Sequence, residues 1–263
     1  MKIYSWNILF ENKRFDDALA FIIKLSWDVI ALQEVPEEFL AALKTLPFHI
    51  AYGPDTRRIR TKEAGRRTDY LVILSKHPLR SVEVIPFPDE WYAKPIYLRT
   101  RFMAKLMGWH QAYADKSALR VEIEVREGTV VQLFCAHLAI VFSTKTHRLR
   151  EFEYLMERRD AALPTIFCAD TNILELPHIT LLNWLAGGPL EHWVLWWRER
   201  SEFNTLFKHY GLKNPLAGGL THWIALSQLD HIVVSESLPV ISKAILQHKP
   251  GSDHHPVMVE VEV

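Results

Sequence analysis

The chain places single polar residues at the ends of short apolar runs, and this arrangement limits what it can fold into. Its last such stretch, Gly251-Ser252-Asp253-His254-His255-Pro256, leads directly into an alternating run from Val257 to Val263. Apolar runs rich in Val, Ile and Phe predict buried β-strands. Polar residues at the ends of such strands converge on one rim of a sheet, the usual place for a functional site. The sequence therefore predicts a buried sheet with a polar rim.

Further polar residues stand in the same position upstream: Asn7, Glu34, His137, Asp170, Asn172 and Asp230. Together with Asp253 they include four carboxylates, which would repel one another at neutral pH if gathered on one rim. Such a cluster requires protons or a cation to neutralise it. Oxygen ligands with few His and no Cys suit Mg²⁺ or Mn²⁺ better than Zn²⁺. We therefore predict a site for a divalent ion.

Each of these residues also has an ordinary structural interpretation. Glu34 could complement the dipole of the helix that follows it. Asp170 and Asn172 could close an Asx turn at the end of a strand. Asn7 could cap a turn, and His137 could be a hydrogen-bonded core histidine. Only the order and number of the residues favour the functional interpretation over these alternatives.

In chain order, the motifs WN, LQE, HL, DxN, LDH and SDHHP resemble those of the endonuclease/exonuclease/phosphatase superfamily of metal-dependent phosphoesterases. The resemblance extends from residue 4 to residue 256. Each motif alone is common by chance, but six in this order are specific. Ala169 departs from the family pattern, which usually has Gly before the Asp. The resemblance implies an α/β fold, a four-layer α/β/β/α sandwich of two packed mixed sheets flanked by helices.

The resemblance also implies a role for each motif residue on the metal side of the site. Glu34 is the principal ligand of the Mg²⁺ or Mn²⁺ ion, and Asn7 and Asp253 contribute directly or through water. Asp170 orients or deprotonates the attacking water. Asn172 donates its amide to a phosphate oxygen.

The histidines are assigned by the same resemblance. His254 is the acid–base imidazole, and Asp230 accepts a hydrogen bond from it. His137 contacts the phosphoryl oxygens. Either Asp170 or His254 could be the general base, and their titrations could be coupled. His231 and His255 match no family position, so we interpret them as structural.

Helices are predicted over Arg14–Ser26, from Pro36 onward, over Thr144–Ala161 and over Ile179–Ala186, and strands over 69–75, 81–86, 118–126 and 129–136. Mixed pairing of this kind suits two packed sheets with helices outside. Because no Gly/Ser-rich or Pro-rich linker interrupts the chain, residues 1–263 are expected to form one domain. Cys135 and Cys168 lie in predicted core strands and are expected to be buried free thiols.

Composition restricts the location and the partners. No apolar run approaches the ~20 residues that a membrane span needs. The sequence Met1-Lys2-Ile3-Tyr4 enters a strand directly instead of a signal-peptide apolar region. We therefore expect a cytoplasmic monomer. The formal net charge is +0, so no global field attracts a polyanion, and any such substrate must be held by local patches.

Two stretches are candidate substrate-binding regions. Six cations within residues 57–67, among them Arg57, Arg58, Arg66 and Arg67, form a predicted basic loop that could engage phosphates or be ordinary solvated surface. An insertion around 87–117 interleaves aromatic and basic residues. Its aromatic side chains could stack on single-stranded bases, insert at a lipid interface or pack into a small hydrophobic cluster of their own.

From these features we expect a divalent-metal-dependent phosphodiester hydrolase that acts on nucleic acid by in-line attack of water. The alternative is a phosphoesterase acting on a phospholipid or a small phosphorylated metabolite. A non-catalytic binding module is the third class, and it is disfavoured because no motif residue is missing. Nucleic-acid binding should weaken steeply with salt, whereas apolar interfacial binding should not.

Overall fold

Two mixed β-sheets pack face to face in the computed structural model, which describes residues 1–60, 66–91, 111–114, 116–139, 145–185 and 190–263. The strands are β1 (Lys2–Asn7), β2 (Val29–Pro36), β3 (His49–Arg60), β4 (Arg66–Ser75), β5 (Leu79–Pro86), β6 (Gln111–Ala114), β7 (Ser117–Arg126), β8 (Thr129–His137), β9 (Thr165–Asp170), β10 (Leu212–Lys213), β11 (Asp230–Ser235), β12 (Val240–Ile245) and β13 (Val257–Val261). Within the described ranges, one sheet has the order β12-β13-β1-β2-β4-β3-β6 and the other the order β10-β11-β9-β8-β7-β5.

Helices cover the outer faces of both sheets. They are α1 (Phe15–Lys24), α2 (Glu37–Leu43), α3 (Lys145–Met156), α4 (Pro177–Leu185), α5 (Leu190–Val194) and α6 (Arg198–His209), and a single 3₁₀ turn spans Asp89–Trp91. No helix in the described part of the chain is long and apolar enough to cross a bilayer.

The buried apolar residues form three main layers. Side chains from both sheets meet in a central cluster that includes Ile3, Leu133 and Ile166. A second cluster lies between α1, α2 and the β1-β2 side of the first sheet, and a third lies between α3, α6 and the second sheet. Three apolar layers between four layers of secondary structure confirm the predicted α/β/β/α sandwich.

Most predicted elements are present with shifted bounds. The first helix is two residues shorter at its C-terminal end than predicted, and the third ends at Met156 instead of Ala161. The fourth begins at Pro177, two residues early, and its predicted last residue, Ala186, lies outside the described residues. Helix α6 was not predicted, although Phe203 and Phe207 on it are buried against the second sheet. Cys135 and Cys168 are buried free thiols, as expected.

The predicted basic loop at 57–67 is wrong as a loop over most of its length. Strand β3 extends to Arg60 and β4 begins at Arg66. The backbones of Arg57, Arg58 and Ile59 pair with Thr68, Arg67 and Arg66. Because strand preference depends strongly on context, the local charge did not reveal that this backbone pairs with a neighbouring strand. The side chains of Arg57, Arg58, Arg66 and Arg67 lie outside the described residues.

Part of the predicted insertion around 87–117 belongs to the first sheet. Strand β6 pairs antiparallel with residues 57–60 of β3. At the other end of this stretch, Phe87 and Trp91 pack near Tyr154 of α3. Residues 92–110, which carry most of the aromatic and basic side chains of the stretch, lie outside the described residues.

Candidate active site

Strand register brings the polar strand ends to one rim. In the first sheet β1 and β2 run parallel, and Asn7 pairs with Gln33, next to Glu34. In the second sheet β8 and β9 also run parallel, and His137 pairs with Asp170. Strand β11 is antiparallel to β9, so its first residue, Asp230, pairs with Asp170. The rim predicted from the apolar runs is therefore present, and both sheets contribute to it.

Glu34 adopts a backbone conformation that is uncommon for its residue type. Its φ is 55°, in the left-handed region, and the pairing of β2 with β4 shifts register between Leu32 and Val35. A bulge of this kind re-aims one side chain and is frequent beside active sites. Glu34 is thereby set apart from the acids of the first helical turn, which are Glu37 and Glu38. The helix-dipole interpretation of Glu34 is not needed.

Asn7 joins two of the carboxylates. Its Nδ2 donates to Oε1 of Glu34 over 3.2 Å and to Oδ2 of Asp170 over 2.9 Å. Its Oδ1 accepts from the Leu9 amide at 3.0 Å. Glu34 also accepts a hydrogen bond from the Phe10 amide through Oε2 at 3.3 Å. The amide of Asn7 thus fixes the spacing between Glu34 and Asp170.

Asp170 lies between two imidazoles. Its Oδ2 is 3.7 Å from Nε2 of His254 and 3.8 Å from Nε2 of His137. Burial alone would raise the pKa of this carboxyl, but the two histidines and the hydrogen bond from Asn7 lower it below its ordinary value. Asp170 is therefore held as a carboxylate and is the acceptor at the centre of the site.

His254 is paired with Asp230, as the resemblance implied. Its Nδ1 lies 2.9 Å from Oδ2 of Asp230, and both side chains are buried. Burial by itself lowers the pKa of His254, but the carboxylates of Asp230 and Asp170 raise it to about 10. Burial, together with the charge of Asp170, raises the pKa of Asp230. The carboxylates thus favour the imidazolium form of His254, with Nδ1 directed to Asp230 and Nε2 facing Asp170.

His137 forms a second pair of the same kind with Asp55, which the sequence did not single out. Nδ1 of His137 lies 2.9 Å from Oδ2 of Asp55, a fully buried carboxylate. Burial lowers the pKa of His137, but Asp55 outweighs it and raises the pKa above its ordinary value. Asp55 also accepts from the Glu34 amide at 3.3 Å. Its signal was an acid directly after the largely apolar run 50–54.

Asp253 contacts a histidine that the sequence did not single out either. Oδ2 of Asp253 lies 3.2 Å from Nε2 of His222, and Oδ1 lies 3.9 Å from Nε2 of His254. Burial would raise the pKa of Asp253, but His222 and His254 lower it to about 2. Nothing in the local sequence of His222 marks it, because its role depends on a contact across 31 residues.

Asn172 forms the Asx turn that was given above as its structural interpretation. Its backbone amide donates to Oδ1 of Asp170 at 3.0 Å, which is the Asx turn, and its φ is 54°. Its Nδ2 donates to the Leu138 carbonyl at 3.2 Å, which uses one of its two amide hydrogens. Ala169 is fully buried in the cluster beneath the helices. Its extra methyl group therefore packs in the core and not in the rim.

The predicted site residues form two neighbouring groups joined by Asp170. Asn7, Glu34 and His137 lie on one side of it, and His254, Asp230 and Asp253 on the other. Among the described residues, two sets offer three metal-ligand atoms within 4.8 Å of one another, namely His222, Asp253 and His254, and Asp170, Asp230 and His254. Glu34 belongs to neither set and is connected to them through Asn7.

His231 is structural, as predicted. Its Nδ1 lies 2.9 Å from the Leu229 carbonyl and 3.1 Å from Oγ1 of Thr171, and its Nε2 contacts the guanidinium of Arg200. Burial and the charge of Arg200 lower the pKa of His231 well below its ordinary value. It is a neutral imidazole that links Thr171, next to the end of β9, to Arg200 of α6.

The fold and this rim agree with the comparison to known families. The Endonuclease/Exonuclease/phosphatase family model matches residues 4–254, and the chain belongs to this family. Members of the family are hydrolases that act on phosphoesters and generally use divalent metals. A search of curated proteins gave no match.

Solved structures of the same fold come from several sources. An endonuclease/exonuclease/phosphatase from Beutenbergia cavernae is 17% identical, with a TM-score of 0.69 over 100% of this chain and 71% of that one. TDP2 of D. rerio complexed with single strand DNA product is 13% identical, with a TM-score of 0.62 over 100% and 99%. A mannosyl-6-phosphatase from Bacteroides thetaiotaomicron is 16% identical, with a TM-score of 0.64 over 100% and 100%.

Proposed function

We propose that this chain is a divalent-metal-dependent phosphodiesterase that hydrolyses nucleic acid by in-line attack of water. The observation that carries the proposal is the position of Asp170. Its Oδ2 accepts from Asn7 and lies within 3.8 Å of the Nε2 atoms of both His254 and His137. A carboxylate between two imidazoles can take a proton from water while they donate to phosphoryl oxygens.

The donor set fits a hard divalent ion. Oδ1 of Asp253 is buried and has no hydrogen-bond partner among the described residues, and carboxylate oxygens such as those of Glu34 and Asp253 are the ligands that Mg²⁺ and Mn²⁺ prefer. These two carboxylates would hold the ion, and Asn7 would act through water or by fixing Glu34. When bound, such an ion offsets the charge on the phosphoryl oxygens.

The proton movements follow from the two histidine–aspartate pairs. Asp170 orients a water molecule and accepts its proton as the water oxygen bonds to phosphorus. His254, surrounded by Asp230, Asp170 and Asp253, is held protonated and donates from Nε2 to the leaving oxygen as its bond to phosphorus breaks. His137 and Asn172 donate to the remaining phosphoryl oxygens. Of the two candidates for the general base, we therefore favour Asp170.

Nucleic acid is the proposed substrate class for two reasons. TDP2, which shares this fold, has been solved with single strand DNA product. Six cations also lie within residues 57–67, in or between two paired strands of the first sheet. Cations this close together in the sequence could engage consecutive phosphates of a polyanion.

A substrate panel tests the proposal. Single-stranded DNA, duplex DNA, RNA, phosphatidylcholine vesicles and a sugar 6-phosphate would be incubated with the protein and Mg²⁺ or Mn²⁺, with Asp170→Asn as the inactive control. We expect hydrolysis of at least one nucleic acid, with KM rising steeply with salt. Hydrolysis of only the vesicles or the sugar phosphate would contradict the assignment of nucleic acid as substrate. The proposal that the site hydrolyses phosphoesters would still hold.

A further inference from the structure

The loop at 220–226 contacts both His254 and Asp230 of the proposed active site. His222 and His254 form an isolated antiparallel bridge through their backbones, and their rings lie 4.5 Å apart. Oγ1 of Thr221 accepts a hydrogen bond from the Asp230 amide at 2.9 Å. The loop is therefore held against both members of the His254–Asp230 pair, and the position of His222 is set by backbone contacts.

The backbone also determines which nitrogen of His222 carries hydrogen. The Ala225 amide lies 2.9 Å from Nδ1 of His222. A backbone amide can only donate, so Nδ1 must offer a lone pair. In the neutral imidazole the hydrogen is then on Nε2, the atom that lies 3.2 Å from Oδ2 of Asp253. His222 is thus prepared to donate to this carboxylate.

This donation leaves the other oxygen of Asp253 for a ligand. Oδ2 accepts from His222, whereas Oδ1 is buried and has no hydrogen-bond partner among the residues described. We propose that His222 is a positioning residue that orients Asp253 so that Oδ1 can bind the divalent ion. The inference rests on the proposed function, because it takes Asp253 as a metal ligand.

Direct ligation by His222 is the competing interpretation. The ligand atoms of His222, Asp253 and His254 lie within 4.8 Å of one another. Coordination through Nε2 would require a lone pair on that atom, however, and the Ala225 amide places the lone pair on Nδ1. Groups that hydrogen-bond to metal ligands commonly set ligand orientation and contribute to metal affinity. The geometry therefore points to donation and not to coordination.

Two substitutions separate these interpretations. His222→Asn keeps an oxygen near the position of Nδ1, which can accept from the Ala225 amide, but it has no donor that reaches Asp253. His222→Gln places an amide donor near the position of Nε2. Trp223→Ala is the control, because Trp223 is the adjacent residue and is 59% exposed. Mn²⁺ binding to the 263-residue chain and its variants would be measured by the electron paramagnetic resonance of free Mn²⁺. Thermal unfolding would verify that each variant is folded.

We expect His222→Asn to raise the Kd for Mn²⁺ by about 10–100-fold, His222→Gln to restore most of the affinity, and Trp223→Ala to leave it unchanged. In an Asp253→Ala background, His222→Asn should have no further effect, because the two residues act as a unit. An unchanged Kd in His222→Asn would overturn the proposal, and so would equal losses in the Asn and Gln variants. If Mn²⁺ binding were absent from the unmodified protein or insensitive to Asp253→Ala, the proposed metal site would fail as well.

Discussion

Nδ1 of His254 lies 2.9 Å from Oδ2 of Asp230, while its Nε2 lies 3.7 Å from Oδ2 of Asp170. One imidazole therefore connects a buried orienting carboxylate to the carboxylate at the centre of the site. A hydrogen bond at Nδ1 fixes the orientation of the ring and leaves Nε2 for proton transfer, as in serine-protease triads. The two aspartates have different tasks although both contact the same side chain.

Substitutions in this pair should be strongly non-additive. We expect His254→Ala to lower kcat by about 10²–10⁴-fold and Asp230→Asn to lower it by less, because Asp230 acts only through the imidazole. The double variant should be little worse than His254→Ala alone. Steady-state kinetics on one substrate would check this. Strictly multiplicative losses would show that Asp230 acts independently of His254.

The sequence predicted the strand ends of the site better than its contacts across the chain. Asn7, Glu34, His137 and Asp170 were found because each ends an apolar run, and parallel register then brings them together. Asp55 and His222 were missed because each acts only by pairing with a residue far away in sequence, His137 or Asp253.

Helix α6 was also missed because it depends on contacts with residues far away in the sequence. Its apolar residues are few, and it is a helix because Phe203 and Phe207 bury their rings against the second sheet. Tertiary packing of this kind is not visible in local propensity. The prediction of a loop at 57–67 was wrong for a related reason, since the strand conformation of its described parts depends on pairing between β3 and β4.

The cations within residues 57–67 are predicted to bind substrate and not to take part in the chemical step. Replacing Arg57, Arg58, Arg66 and Arg67 with Ser should raise KM for DNA or RNA and flatten its dependence on salt, because each lost phosphate contact reduces counterion release. Turnover of a small chromogenic phosphodiester is the internal control and should be nearly unchanged. Unaltered KM and salt slope would identify these residues as ordinary solvated surface.

His231 is predicted to make stability depend on pH. Burial and Arg200 lower its pKa in the folded state, so the unfolded chain takes up the proton first as pH falls below about 6.5. The contribution of neutral His231 to the free energy of unfolding is fully present above that pH. It is lost as the pH falls below it, by up to about 1.4 kcal/mol per pH unit. Urea unfolding between pH 7 and pH 5 should show a smaller loss in His231→Gln. His178→Gln, at an exposed position of α4, should keep the original slope.

A buried ion pair is predicted to stabilise α6 against α3. Nε and Nη2 of Arg148 lie 2.6 and 2.8 Å from the two carboxylate oxygens of Glu199, and both side chains are buried. Glu199→Ala should lower the free energy of unfolding by about 3–5 kcal/mol, because it removes the bidentate partner of a buried charge. Glu202→Ala, which removes an exposed partner of Arg198 on the same helix, should cost only about 0–1 kcal/mol. Equal losses in chemical denaturation would contradict this account.

The central claim is that Glu34 and its neighbours hold a divalent ion that phosphodiester hydrolysis requires. The most direct test is the hydrolysis rate of a phosphodiester with EDTA, after addition of excess Mg²⁺ or Mn²⁺, and in Glu34→Ala. Glu37→Ala, an exposed acid in the first turn of α2, serves as the control. We expect EDTA to abolish activity, either ion to restore it, and Glu34→Ala alone to lose both the rate and its dependence on metal. Full activity in EDTA, or a Glu34→Ala variant as active as Glu37→Ala, would contradict the claim.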